Sequence, residues 1–212
     1  PPAPMSAPAP VLETPAEQAL AASIRAAGGM FYFGNYEDTS TERTFTMRSE
    51  PGTQIATIKI KEKLVIIALP DGSVVWESTP KDGSLCGSAG GSFGLVEAKL
   101  LASGSIFMGG GKKVVLLSNG QPVLSLDAPE QYWFLPFLLL TCCMGLCCLP
   151  CMKTEMYLMK GNDRVGTATF VDGANCCGRR EVRSNDPAVL RASMNLLAMM
   201  FYQEWIVGGE AP

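Results

Sequence analysis

Histidine is absent from all 212 residues. That excludes Ser-His-Asp and Cys-His catalysis, imidazole metal ligands and imidazole pH switching. Charge is scarce as well. Asp, Glu, Lys and Arg make up 17% of the chain, against roughly 25% for an ordinary soluble protein. So little solvated surface points to contact with a membrane or a partner. The net charge is −3, and no basic stripe is interleaved with aromatics, so nucleic acid is not an expected partner. No Asn-x-Ser/Thr acceptor occurs, which suits an intracellular protein. A removed targeting peptide would fit a start at Pro1 and an organelle, chloroplast or mitochondrion.

Cysteine is the residue in excess. There are eight, and five crowd into one charge-free stretch: Cys142, Cys143, Cys147, Cys148 and Cys151. The stretch, Gln131 to Met152, reads QYWFLPFLLLTCCMGLCCLPCM and lies between Glu130 and Lys153. A secreted disulfide scaffold is shorter, with cysteines spread more evenly. Four readings fit the segment. The cysteines are thioacylated and hold the loop on a membrane, with Trp133, Phe134 and Phe137 beside them in lipid. Or Tyr132 to Met152 crosses the bilayer, with Tyr132 and Trp133 at one interface and Lys153 at the other. Or Cys148, Cys151, Cys176 and Cys177 hold zinc or an iron–sulfur cluster as thiolates. Or the cysteines are small apolar residues in a core.

Along the chain, residues 1–15 form a Pro/Ala-rich arm. Residues 16–29 read as a docking helix: Thr14, Pro15 and Glu17 make a capping box with proline at N1, and Gly28-Gly29 stops it. Leu20 and Ile24 give it a thin apolar stripe. From Met30 the pattern has period two. Lys63 to Ser78 turns at Asp71-Gly72, Lys113 to Leu126 at Asn119-Gly120, Met156 to Phe170 at Gly161-Asn162, and Phe45 to Ile58 at Pro51-Gly52. Strands are also expected at Met30–Asn35, Ser92–Ala102 and Ser105–Met108. Repeated short hairpins of this kind make a mainly β fold, an antiparallel barrel or sandwich of about ten to twelve strands. A final helix over 187–207 starts from the Asp186 cap and Pro187 and ends at Gly208. From Ala192 to Gln203 it is apolar on every side, which requires enclosure on every side. Arg191 and Glu204 bracket a run shorter than a membrane span, so the helix belongs inside the barrel.

A many-stranded antiparallel barrel closed on a hydrophobic C-terminal helix resembles the tubby C-terminal fold, which phospholipid scramblases and the plant LURP-one-related proteins share. Two segments carry the likeness. Leu140 to Leu158, LTCCMGLCCLPCMKTEMYL, is similar to the scramblase cysteine cluster that runs directly into a polar strand, and Gly161 to Phe170 fits the strand after it. Pro187 to Trp205 is similar to the scramblase terminal helix, with Phe201-Tyr202-Gln203-Glu204 as its aromatic-acidic ending. The resemblance implies a tubby-like domain over residues 30–212, acylation (palmitoylation) of the clustered cysteines and contact with lipid. The acidic calcium-linked segment of that family has no match here. Cys176 to Asp186, CCGRREVRSND, is net basic, so calcium-triggered lipid transfer is not implied.

Arg179, Arg180 and Arg183 make a small basic run suited to anionic headgroups or simply to water. Gly109-Gly110-Gly111-Lys112 fails the phosphate-loop pattern, with no Ser or Thr after the lysine. No acid–base pair stands out. The expectation is a non-enzymatic, membrane-associated protein without a cofactor, bound to lipid through residues 131–152. An alternative is an accessory subunit of a photosynthetic or respiratory membrane complex, and a third is a thiolate zinc or iron–sulfur protein.

Overall fold

A computed structural model describes residues 14–33, 37–39, 41–49, 52–81, 84–88, 95–102, 112–127, 153–171 and 180–207. Among the described residues the chain is a mainly β protein with two helices and thirteen strands. Helix α1 is Pro15–Ala26. Thirteen strands follow: β1 Met30–Phe33, β2 Glu37–Asp38, β3 Arg43–Arg48, β4 Gln54–Lys61, β5 Leu64–Ala68, β6 Val74–Lys81, β7 Ser84–Ser88, β8 Leu95–Ala102, β9 Lys112–Ser118, β10 Gln121–Asp127, β11 Lys153–Lys160, β12 Asp163–Val171 and β13 Arg180–Ser184. Helix α2 is Pro187–Val207.

From β2 to β13 each strand pairs antiparallel with the next. The ring is closed by β1, which lies between the last strand and the third. Phe31 faces Val182 and Phe33 faces Arg180 on one side, while Phe33 faces Met47 on the other. Strand β2 pairs only with β3, so twelve of the thirteen strands form the closed barrel. The four expected hairpins are β3–β4, β5–β6, β9–β10 and β11–β12. Their turns use the chemistry expected of them: Asn119 and Gly120 both have positive φ, 50° and 77°, the left-handed pair of a type I′ turn. The expected strand at Ser105–Met108 lies outside the described residues.

Alternate residues on each strand point inward. Ala56, Ile58 and Ile60 of β4, Val65 and Ile67 of β5, and Val114 and Leu116 of β9 are all buried. They meet α2, which packs against β4 and β5 on one side and β8, β9, β10 and β13 on the other. A helix touched by strands from both sides of a closed ring is the core of that ring. From Val189 to Phe201 every side chain is buried except the half-buried Asn195. The expected start is present too, with Asp186 Oδ1 accepting from the Ala188 amide at 2.8 Å.

Antiparallel alternation divides the connections between two ends. Helix α2 starts at the end where β13 finishes and runs toward the other. Helix α1 lies at the starting end, packed on α2, β4 and β6. Its thin stripe is buried against the chain's own core, with Leu20 1% and Ile24 0% exposed. Gly29 clasps it to the barrel: its carbonyl accepts from Ser184 N at 3.1 Å. Its φ is +80°, and a β-carbon there would sit 2.7 Å from the Ser184 carbonyl oxygen, so glycine is required.

One ion pair crosses between the helices. Arg191 Nη1 of α2 lies 3.8 Å from Glu17 Oε1 of α1, with side-chain exposures of 6% and 3%. The other Glu17 oxygen accepts from the Thr14 amide at 2.9 Å and the Thr14 hydroxyl at 3.2 Å. One carboxylate thus completes the cap of α1 and neutralises a charge in α2. Removing one member of such a pair strands a buried charge, at a cost of about 3–5 kcal/mol, whereas an apolar replacement of both is often neutral. We expect Glu17→Leu and Arg191→Met each to lower unfolding stability strongly. The double variant should lose less than the two single losses summed. Chemical denaturation of the four proteins measures this, and strictly additive losses would show that the pair is not coupled.

Candidate functional site

The strand ends that flank most of the segments singled out in the sequence lie at the end of the barrel opposite α1. Strand β10 finishes there at Asp127 and β11 begins there at Lys153, so the thiol-rich segment leaves and returns at this end. Strand β12 finishes there at Val171 and β13 begins there at Arg180. Helix α2 points its C-terminus that way.

The floor of this end is aromatic. Phe201 stacks on Phe45 with ring centroids 3.9 Å apart and planes within 6°, and it meets Phe33 at 5.5 Å. Phe201 is 1% exposed. Two residues nearer the rim on the same inner face of β3 is Arg43, also buried. A cation near the C-terminus of α2 complements the helix dipole. Tyr202, next on α2, has its phenol pushed above its ordinary value, first by burial and then by the charge of Glu62 in the β4–β5 turn. It stays neutral at physiological pH.

On the outer side of the rim, Glu42 accepts from the Thr44 hydroxyl at 3.1 Å and pairs with Lys61 Nζ at 3.1 Å. Burial acts to raise the Glu42 carboxyl. Hydrogen bonds from Lys61 and Thr44, with the charges of Lys61 and Lys59, outweigh it and hold the group below its usual range.

Trp133, Phe134, Phe137, Cys142, Cys143, Cys147, Cys148, Cys151, Cys176, Cys177 and Arg179 lie outside the described residues. Arg180 is the first residue of β13, at the rim. Arg183 lies three residues on, and its guanidinium is bonded to Glu181 by Nε at 2.8 Å and Nη2 at 3.1 Å. The basic run is thus divided along the strand, with Arg183 drawn to a carboxylate. Among the described residues no cluster of His, Cys, Asp or Glu suits a metal ion. No helix among them is long and apolar enough to cross a membrane.

Sequence reasoning missed Arg43 and the Glu17–Arg191 pair. Arg43 carried a usable signal, since it shares the inward parity of Phe45 and Met47. No family model, curated protein or solved structure matches this chain.

The depressed Glu42 carboxyl gives a signed pH dependence. Its contribution to stability is complete above its unfolded value and is lost as pH falls through the lower folded value. We expect Glu42→Gln to cost less than about 1 kcal/mol at neutral pH, because Lys61 is half exposed. The difference from wild type should begin to shrink as pH falls through the ordinary carboxylate range and vanish only once the folded Glu42 is itself protonated, below that range. Urea titrations at a series of pH values read this directly.

Proposed function

We propose that this chain is a non-enzymatic, scramblase-like and tubby-like protein whose barrel is a scaffold and whose thiol-rich segment 131–152 meets membrane lipid inside a cell. One observation carries the reading. The barrel already encloses the chain's terminal apolar helix, with Leu196, Leu197, Ala198 and Met199 each 0% exposed. The ring's interior is therefore filled by α2. Strand β10 ends at Asp127 and β11 begins at Lys153, so the sheet is left and rejoined on either side of the charge-free segment at the barrel end opposite α1.

A lipid surface suits a segment of that composition. Thioacylation would strengthen the attachment: each acyl methylene adds about 0.8 kcal/mol, so two chains hold firmly where one is marginal. Arg179 and Arg180 fit the same surface as headgroup contacts. Arg183 fits less well, since it already bonds Glu181.

Fractionation tests the proposal. The full chain is expected in the membrane fraction and retained through an alkaline wash. The peptide bearing Cys142 to Cys151 should lose thioester mass on treatment with hydroxylamine. A protein recovered wholly in the soluble fraction contradicts the proposal. Co-migration with a large complex in mild detergent, without thioester mass, favours the accessory-subunit reading. Zinc or iron at stoichiometric levels favours the thiolate-metal reading.

A further inference from the structure

We infer that the α1 end of the barrel is a preformed socket for an amphipathic helix, and that α1 occupies it exchangeably. The observation is a device repeated in four hairpins. In β3–β4, β5–β6, β9–β10 and β11–β12 the ladder slips by one residue just after the turn, and the extra residue is Ile55, Val75, Val123 and Val165 respectively. Each stands three residues after the second residue of its turn, which is Gly52, Gly72, Gly120 or Asn162. All four are β-branched aliphatics. Ile55 and Val75 are buried in the core, and Val123 and Val165 pack against it. Among the described residues no ladder slips at the opposite end.

A bulge bends its strand and re-aims a side chain. Bulges set by each hairpin's own turn shape the mouth from within the sheet, without help from α1. Helix α1 sits in that mouth against α2 and against β4 and β6, two of the bulged strands. It presents Glu17, Leu20 and Ile24, spaced i, i+3 and i+7 along one face, and each is at most 2% exposed. Arg191 receives the carboxylate. The helix carries its own start in the Thr14–Glu17 capping box. Its tether is Gly28, whose φ is +71° and where an added β-carbon would meet open space. The clasp to Ser184 belongs to Gly29, on the barrel side of that tether. Helix α1 can thus leave without unpicking β1. The partner that fits the same socket is a helix of the same chemistry, with an acidic residue three positions before one aliphatic and seven before another. The inference stands apart from the membrane reading, since it uses the other end of the barrel.

A protease site inserted between Ala27 and Gly28 of the full chain, and cut only after folding, tests this. A fluorescent peptide of residues 13–28 is then added in excess, as wild type, Glu17→Lys or Leu20→Ala. The cut chain should take up the wild-type peptide in place of its own fragment, while the barrel keeps its near-ultraviolet circular dichroism. The Glu17→Lys peptide should compete about a hundredfold more weakly, since it sets a cation against Arg191. The Leu20→Ala peptide should compete about thirtyfold more weakly, since it leaves a gap in the socket. The uncut chain should bind the wild-type peptide far more weakly, because its tethered α1 holds the site. Equal binding of all three peptides, or equal uptake by cut and uncut chains, overturns the inference. So does a cut chain whose barrel unfolds, or one that never takes up the wild-type peptide.

Discussion

Helix α2 is the constraint on which the rest of the structure depends. From Ala192 to Met200 only Asn195 is even half-buried, and every other residue in that span is buried. Such a helix has no face to offer water, so it is stable only inside something. The twelve-strand ring supplies the enclosure. Each inward side chain then has two functions, filling the ring and holding the helix. Phe201 between Phe45 and Phe33 shows this at one end. Leu20 and Ile24 of α1 do the same at the other.

Closing the ring around a helix from the same chain ties the termini together. Strand β1 comes from the beginning of the chain and β13 from just before α2, and the ring is complete only when they pair. The Gly29–Ser184 hydrogen bond lies beside that seam, and the Glu17–Arg191 contact joins α1 to α2. The buried charge pair adds little net stability on the usual accounting. Its effect is positional: one carboxylate both caps α1 and reaches Arg191, which links the start of α1 to α2.

Much of this architecture was legible in the sequence, and the reason is local. Asn119-Gly120 and Asp71-Gly72 specify turns through backbone conformations that few other residues accept. The Asp186-Pro187 start specifies where α2 begins. What escaped the reading depends on distant partners. Strand β2 is short and carries no turn signature of its own, while β7 is joined to β6 by Asp82-Gly83, a hairpin signal absent from the strand expectations above. The wedging of β1 between β13 and β3 cannot be read from Met30–Phe33 alone. Arg191 reads as the bracket of an apolar run until Glu17, far away in sequence, is placed against it. Arg180 and Arg183 look equivalent as text, yet the strand separates them and Glu181 engages one.

The central claim is enclosure, and native-state hydrogen exchange tests it most directly. The backbone amides of Met194 to Phe201 should be among the slowest to exchange in the whole chain, opening only with global unfolding. They should be slower than the amides of α1, which lies at the mouth of the barrel. Exchange of α2 amides at the rate of the β5–β6 or β9–β10 turns, with the strands still protected, would show a ring that does not hold its helix.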